Sequence, residues 1–296
     1  MRGLLTTGCL ALALALPATQ AVAETIFGLN AANQIITFDS ATPGVVLTAG
    51  AISGLATGTV LTGLDLRPAN RMLYSVGSDS NLYLIAKDGS GTGYTATTVG
   101  NIANPITGPG VGLNFNPVPD RLRLVTSTEQ NYRINPDTAV TIKDGTITGP
   151  SGTPDLVGVA YTNSRPGATS TMLYALDAAT DMLFRSTDPN AGIYVNTNLA
   201  GTAFGSLGVD LGVNDAVGFD ISGGSGAAYF NRNNQFYSLN LTTGAASLVG
   251  TLGAGSLIGI AAAAVPEPAT WALMITGFGL VGAAARRRRP ATLALA

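Results

Sequence analysis

Histidine is absent from this 296-residue chain, cysteine occurs once, at Cys9, and lysine only at Lys87 and Lys143. Without histidine there is no Ser-His-Asp triad and no Cys/His zinc site, and one cysteine near the start leaves no thiol nucleophile and no disulfide for the remainder. No catalytic residue, cofactor or metal ligand is therefore assigned. An oxygen-ligated calcium site and a carboxylate-only mechanism are not excluded by this composition. Charge is scarce too, at 11% of residues against about 25% in an average soluble domain. Arg2 and residues 286–289 hold five of the bases, so residues 24–265 carry 16 acids against 10 bases. An acidic body without clustered lysine excludes nucleic acid as a partner class.

What is abundant is glycine, with 38 residues, together with Thr, Val, Ile and Tyr in short alternating runs. Short turns need Gly and Asn, and the other residues suit pleated strands, so many short strands are predicted rather than helices. The best example is the stretch at 112–138. There Leu122 and Leu124 alternate with Arg121 and Arg123, and Tyr132 and Ile134 alternate with Asn131, Arg133 and Asn135. A proline-rich turn at 117–120 separates these runs from the preceding strand.

This pattern recurs, with first strands beginning at Gly63, Gly112, Gly158, Gly218 and Gly259. After each of the first four come three further strands, which is the period of a β-propeller blade. The start at Gly259 has no successors, while residues 25–29, 34–38 and 45–48 supply later strands without a first one. The expectation is an all-β, propeller-like fold of five four-stranded blades, closed by pairing of the N- and C-terminal strands, which leaves no unpaired edge at the seam. A two-sheet sandwich or an irregular solenoid is the alternative.

The ends of the chain carry addresses. Residues 1–23 combine Arg2, an apolar run from Cys9 to Leu16, Pro17, and Ala21-Val22-Ala23, the small residues of a signal-peptidase site. Cleavage is expected before Glu24, making residues 24–264 the repeat domain. Next come Pro266-Glu267-Pro268 within residues 265–268, an uncharged apolar segment at 269–285 expected to be a transmembrane helix, and a basic cytoplasmic tail at 286–296 that begins with Arg286, Arg287, Arg288 and Arg289.

That order of proline-flanked glutamate, short apolar segment and arginine cluster closely resembles the PEP-CTERM sorting signal. The resemblance implies a Gram-negative bacterium that makes extracellular polysaccharide. It also implies processing of the tail by an exosortase, a transient membrane anchor, and delivery to the cell surface or extracellular matrix. The body resembles the bacterial domain of unknown function 4394, most closely over 112–138 and more weakly over 63–85 and 208–222. This family implies a propeller-like repeat and brings no activity and no catalytic residues.

Three constellations merit attention. Asp65, Asn114 and Asp220 each stand two residues after a repeat glycine, where they either converge near a common axis as a calcium or glycan site or tie neighbouring backbone by hydrogen bonds. Arg121, Arg123 and Arg133 share a sheet face. They are a candidate patch for an acidic polysaccharide, or an internal ion-pair network with the nearby acids Asp120, Glu129 and Asp137. Asp177 with Asp181, and Asp79 near Ser78, Ser80 and Asn81, have the oxygen-rich look of calcium loops but not the EF-hand spacing. These residue types are what tight hairpin turns demand, which is the preferred reading. The aromatics Tyr74, Tyr83, Tyr174, Phe184, Tyr229 and Phe236 read as interblade core. The function expected is a non-enzymatic surface or matrix scaffold, with signal peptidase and an exosortase as processing partners. A carboxylate-dependent glycan-cleaving enzyme and a small-molecule or ion-binding propeller are the alternatives.

Overall fold

The computed structural model describes residues 23–150, 152–263 and 278. Apart from Ala23 and Phe278, the expected leader at 1–23, the sorting motif, the expected membrane segment at 269–285 and the expected basic tail lie outside the described residues. Among the described residues no helix is long and apolar enough to cross a membrane.

The chain begins with β1 (Thr25–Leu29), β2 (Gln34–Asp39) and β3 (Val46–Ser53). Four strands follow, β4 (Leu61–Leu66), β5 (Leu73–Gly77), β6 (Asn81–Lys87) and β7 (Tyr94–Asn101). The next four are β8 (Val111–Asn116), β9 (Arg121–Thr126), β10 (Asn131–Ile134) and β11 (Thr141–Lys143). Then come β12 (Leu156–Tyr161), β13 (Leu173–Asp177), β14 (Met182–Asp188) and β15 (Ile193–Val195). The last are β16 (Val217–Ile221), β17 (Ala228–Arg232), β18 (Gln235–Leu239), β19 (Ala246–Thr251) and β20 (Gly259–Ala263).

Within each group successive strands pair antiparallel. The lone β20 pairs antiparallel with β1, Thr25 opposite Ala263 and Leu29 opposite Gly259, so the two ends of the ring complete one four-stranded unit. That unit is also continuous with its neighbour. At the far end of the long strand β3, Ile52 and Ser53 pair in parallel with Tyr94 and Thr95 of β7, merging two units into one eight-stranded sheet. The sequence reading separates these units. The close approach depends on Gly50, where a Cβ would overlap the Thr92 carbonyl.

The first strands β4, β8, β12, β16 and β20 pack against one another in order, and β20 returns to β4. The repeat glycines make this ring tight. A Cβ on Gly112 would lie 2.8 Å from the Val159 amide nitrogen, one on Gly218 2.5 Å from that of Ile260, and one on Gly259 2.5 Å from that of Leu64. Neighbouring backbone cannot give way as a side-chain tip can, so glycine recurs at these positions for close approach.

Apolar burial holds the ring at every junction. One cluster joins Tyr74 and Val76 to Leu113 and Phe115, a second joins Val125 and Ile147 to Val159 and Tyr194, and a third joins Leu176 and Leu183 to Phe219 and Phe230. At the seam, Ile26 and Ile260 meet Tyr229 and Phe236, and Leu29 and Ala261 meet Leu64 and Leu73. The six aromatics expected in the core are all buried. The architecture is all-β and propeller-like, with its apolar surface buried between consecutive units.

Candidate functional site

Each first strand carries a backbone N–H three residues after the repeat glycine that turns toward the axis and needs an acceptor there. A buried amide without an acceptor costs about 1–3 kcal/mol. Asp65 Oδ2 accepts from the Phe115 amide of the next strand at 2.6 Å, and the Leu66 amide of its own strand also donates to Asp65. Asn114 Oδ1 accepts from the Tyr161 amide at 2.8 Å. Asp220 Oδ2 accepts from the Ala262 amide at 2.7 Å while its Oδ1 takes the Ile221 amide at 2.8 Å. Three side chains thus satisfy the equivalent amide of all five strands. Ala160 and Ala261 suffice at the other two positions, because the amide each would face is already held by a carboxylate of its own strand.

Asn114 also crosses the ring, its Nδ2 donating to Asp220 Oδ1 at 2.9 Å. Asp65, Asn114 and Asp220 are therefore brought together as the sequence predicts, and their hydrogen bonds tie backbone. Burial is the main cause that pushes the Asp220 carboxyl up to about 6. Burial, and after it the charge of Asp220, raises that of Asp65 well above its ordinary value. A carboxyl raised on folding binds more protons in the native state, so its effect is to lower stability as pH rises from the unfolded value, about 3.9, through the folded one. With Glu24 in peptide linkage, the melting temperature should rise as pH falls from 7 to 5. Burial's effect on Asp79, Asp137 and Asp215 is outweighed by hydrogen bonds or ion pairs that hold them below their ordinary value, so they weaken the fold only at lower pH. A thermal melt at each pH checks the sign.

Cavities open at both ends of the axis. At the start of the first strands, a 210 Å³ hollow is lined by Val60, Leu61, Pro109, Gly110, Asp215 and Val217. At their far end a 90 Å³ hollow is lined by Leu66, Pro68, Arg71, Ser164, Arg165 and Asp220. Arg71 and Arg165 are exposed at its mouth.

The arginine face resolves into structure. Arg123 and Arg133 lie directly opposite on β9 and β10, as expected. Arg123 is 1% exposed, and its guanidinium donates to Asp144 at 3.0 Å, Tyr161 Oη at 2.9 Å, Asn190 Oδ1 at 2.9 Å, the Pro189 carbonyl at 3.1 Å, and Asn131. Arg133 grips the same carboxylate through Nε at 2.7 Å and a terminal nitrogen at 2.8 Å, and this pairing raises its pKa. Arg121 donates to the Pro119 and Asp120 carbonyls beside it, and its charge helps to hold the Asp137 carboxyl low. Of the two readings of this face, Arg123 and Arg133 follow the internal network, with Asp144 as its carboxylate.

The acids expected to serve that network go elsewhere. Asp120 and Asp137 both bind Arg67, at 2.5 and 2.6 Å, across a junction between units. These bonds raise the Arg67 guanidinium, which also faces the Tyr74 ring at 5.9 Å. Asp144, Arg67 and the rim arginines are the residues that sequence reasoning missed. Asp79 and Asp177 serve turns. Asp79 accepts from the Asn81 amide at 3.1 Å and Tyr83 Oη at 2.6 Å, and Asp177 from the Asp155 amide at 2.7 Å. Among the described residues no group of three Cys, Asp or Glu side chains is placed to hold a metal ion.

The family model described as "Domain of unknown function (DUF4394)" matches residues 34–261, and that described as "PEP-CTERM protein-sorting motif" matches residues 264–289. No curated protein matches the sequence. Among solved structures, the chain is similar to the glutaminyl cyclase of Myxococcus xanthus, at 11% identity and a TM-score of 0.41, over 70% of this chain and 89% of that one. It is similar to a chain of a nidogen/laminin complex, at 12% identity and 0.42, over 81% and 98% respectively. It is also similar to a protein of unknown function from Bacteroides thetaiotaomicron, at 15% identity and 0.44, over 80% and 62%. Likenesses this distant carry no argument about activity.

Proposed function

This chain belongs to the DUF4394 family and carries a PEP-CTERM sorting motif, and from that premise we propose that its body is a closed five-bladed propeller serving as a non-enzymatic scaffold in the cell surface or extracellular matrix. The sorting motif makes it an exported substrate of an exosortase, with signal peptidase acting first at the leader. The observation that carries the scaffold reading is the use of the axial polar groups. Asp65, Asn114 and Asp220 direct their oxygens at backbone amides of neighbouring strands, so the centre is organised to hold the ring together.

The partner we assign is extracellular polysaccharide carrying carboxylate groups, gripped at the exposed rim of Arg71 and Arg165. Guanidinium groups bind carboxylates in a bidentate fork, which suits an acidic sugar. Arg121, half-buried at the start of β9, is the one member of that candidate patch whose side chain makes no ion pair in the Asp144 network.

One observation favours a second reading. Asp220 has a raised carboxyl and lines the 90 Å³ hollow, as a general acid for glycan cleavage would. The experiment separates the two. Residues 24–265 are mixed with the source organism's extracellular polysaccharide and followed by size-exclusion chromatography with light scattering. Co-elution with polymer of constant mass, lost in an Arg71→Ala/Arg165→Ala variant, is the expected result. A falling polymer mass overturns the scaffold reading in favour of an enzyme.

A further inference from the structure

The residue expected to become the new N-terminus is buried at the seam. Glu24 is 2% exposed, although Ala23 before it is exposed. The Glu24 backbone nitrogen donates to Ser40 Oγ at 2.9 Å. Its Oε1 accepts from Ser222 Oγ at 2.5 Å, and its Oε2 is buried with no hydrogen-bond partner. An unpartnered carboxylate oxygen in a protein interior is costly unless a positive charge accompanies it.

The surroundings are acidic. Asp220 on β16 feels the charge of Glu24, and Asp65 on β4 feels that of Asp220. Tyr229 on β17 directs its hydroxyl at Ser40 and Glu24 as a neutral hydrogen-bonding neighbour and feels the charge of Asp39, and burial foremost raises that hydroxyl. On the solvent side of Asp220 lie Arg71 and Arg165, around the hollow. The ion pairs of Arg67, Arg123, Arg133 and Arg232 are made with other carboxylates.

We propose that the α-ammonium created at Glu24 by removal of the leader is the counter-ion of the buried Glu24 and Asp220 carboxylates, so that leader removal locks the seam of the ring. Hydrolysis of the Ala23–Glu24 amide consumes one water, leaves a carboxylate on Ala23 and frees an amine on Glu24, which takes up a proton at neutral pH. In peptide linkage this nitrogen has one donor, held by Ser40. As an ammonium it has three, and Oε2 of the same residue lies no farther away than its own side chain reaches. Glu24 directly precedes β1, which pairs with β20, so the charge acts where the ring closes. The inference rests on cleavage before Glu24 and hence on the export reading.

The sign of the pH dependence follows. An α-amino group ordinarily titrates near pH 7.7–8.0. Neighbouring carboxylates raise that value in the folded chain, so the added stability is present below about pH 8 and is lost as pH rises through the folded value. The twenty strands among the described residues lie within 25–263, so a chain of residues 24–265 contains the ring that they form.

Three such chains are compared: one with a free amine, one Nα-acetylated, and Glu24→Gln with a free amine. The free-amine chain should melt about 2–4 °C above the acetylated one at pH 7, and the difference should vanish by about pH 10. After reductive ¹³C-methylation, which keeps the charge, the α-amine should titrate above its ordinary range by NMR and return to it in Glu24→Gln. Equal melting of the free and acetylated chains at both pH values, with an ordinary amine titration, overturns the counter-ion. Mass spectrometry of the exported protein tests the premise: an N-terminus other than Glu24 overturns the proposal there and leaves the ring itself untouched.

Discussion

A chain ending at residue 256 should lose the cooperative melting of one ending at 264. The deleted residues contribute the strand that completes the ring. Leu257 and Ala261 are fully buried and Ile260 is 1% exposed, and they belong to the two apolar clusters that meet at the seam. Losing the Leu and Ile side chains alone costs roughly 4–10 kcal/mol at about 2–5 each, which rivals the roughly 5–15 kcal/mol that holds a typical domain together. The polar loss adds to this. The Leu257 carbonyl accepts from Asn231 at 2.7 Å and the Ala262 amide donates to Asp220 Oδ2 at 2.7 Å, so Asn231 would lose one of its three acceptors and the buried Asp220 Oδ2 would lose its donor. β1 would become an uncovered edge. Circular dichroism and calorimetry compare the two chains, and an unchanged transition in the shorter one would contradict ring closure.

The second large effect is expected from Arg123→Ala. This side chain crosses from β9 to the neighbouring unit, and its removal leaves Asp144, itself 4% exposed, with Arg133 as its remaining cation. It also strands the buried Tyr161 Oη and Asn131 Oδ1 at the junction, whereas the exposed Asn190 can turn to solvent. Breaking a buried pair from one side costs about 3–5 kcal/mol. Arg123→Lys should recover only part of this, since an ammonium keeps the charge but cannot span the same partners with a planar fork. Arg121→Ala should change stability by no more than about 0.5 kcal/mol, because its contacts are local backbone carbonyls. Urea unfolding of the three variants checks the ranking. Similar losses for Arg121→Ala and Arg123→Ala would mean that the network contributes nothing beyond surface contacts.

Much of the architecture was legible because it depends on period. Alternation in runs such as Leu122 to Leu124 reports one buried face, and the glycine that recurs before each first strand reports close packing around the axis. The incomplete unit at each end also had a local signature, and β1 with β20 resolves it. What could not be read depends on distance in three dimensions. Asp144 lies 21 residues from Arg123, and nothing in its neighbourhood distinguishes it from Asp120 or Asp137, which turn instead to Arg67. The Asp, Asn and Ala residues at the axial position looked like an irregular repeat. They become regular only when each amide is matched to its acceptor, since Asp65 and Asp220 each hold two. The joining of β3 to β7 was also hidden, because a parallel pair of two residues leaves no alternation to detect.

The seam can be tested most directly by a crosslink. Thr25 and Ala263 are opposite partners on β1 and β20, and paired Cα atoms in an antiparallel ladder lie about 4.5–5.5 Å apart, within the range that a disulfide spans. The only native cysteine, Cys9, lies in the leader, so residues 24–265 provide a cysteine-free background. In a Thr25→Cys/Ala263→Cys chain, mild oxidation should give an intramolecular disulfide in nearly every molecule, seen as a faster band on a non-reducing gel and a higher melting temperature. Free thiols after oxidation, or only crosslinked dimers, in a chain that still melts cooperatively would contradict closure of the ring by its two ends.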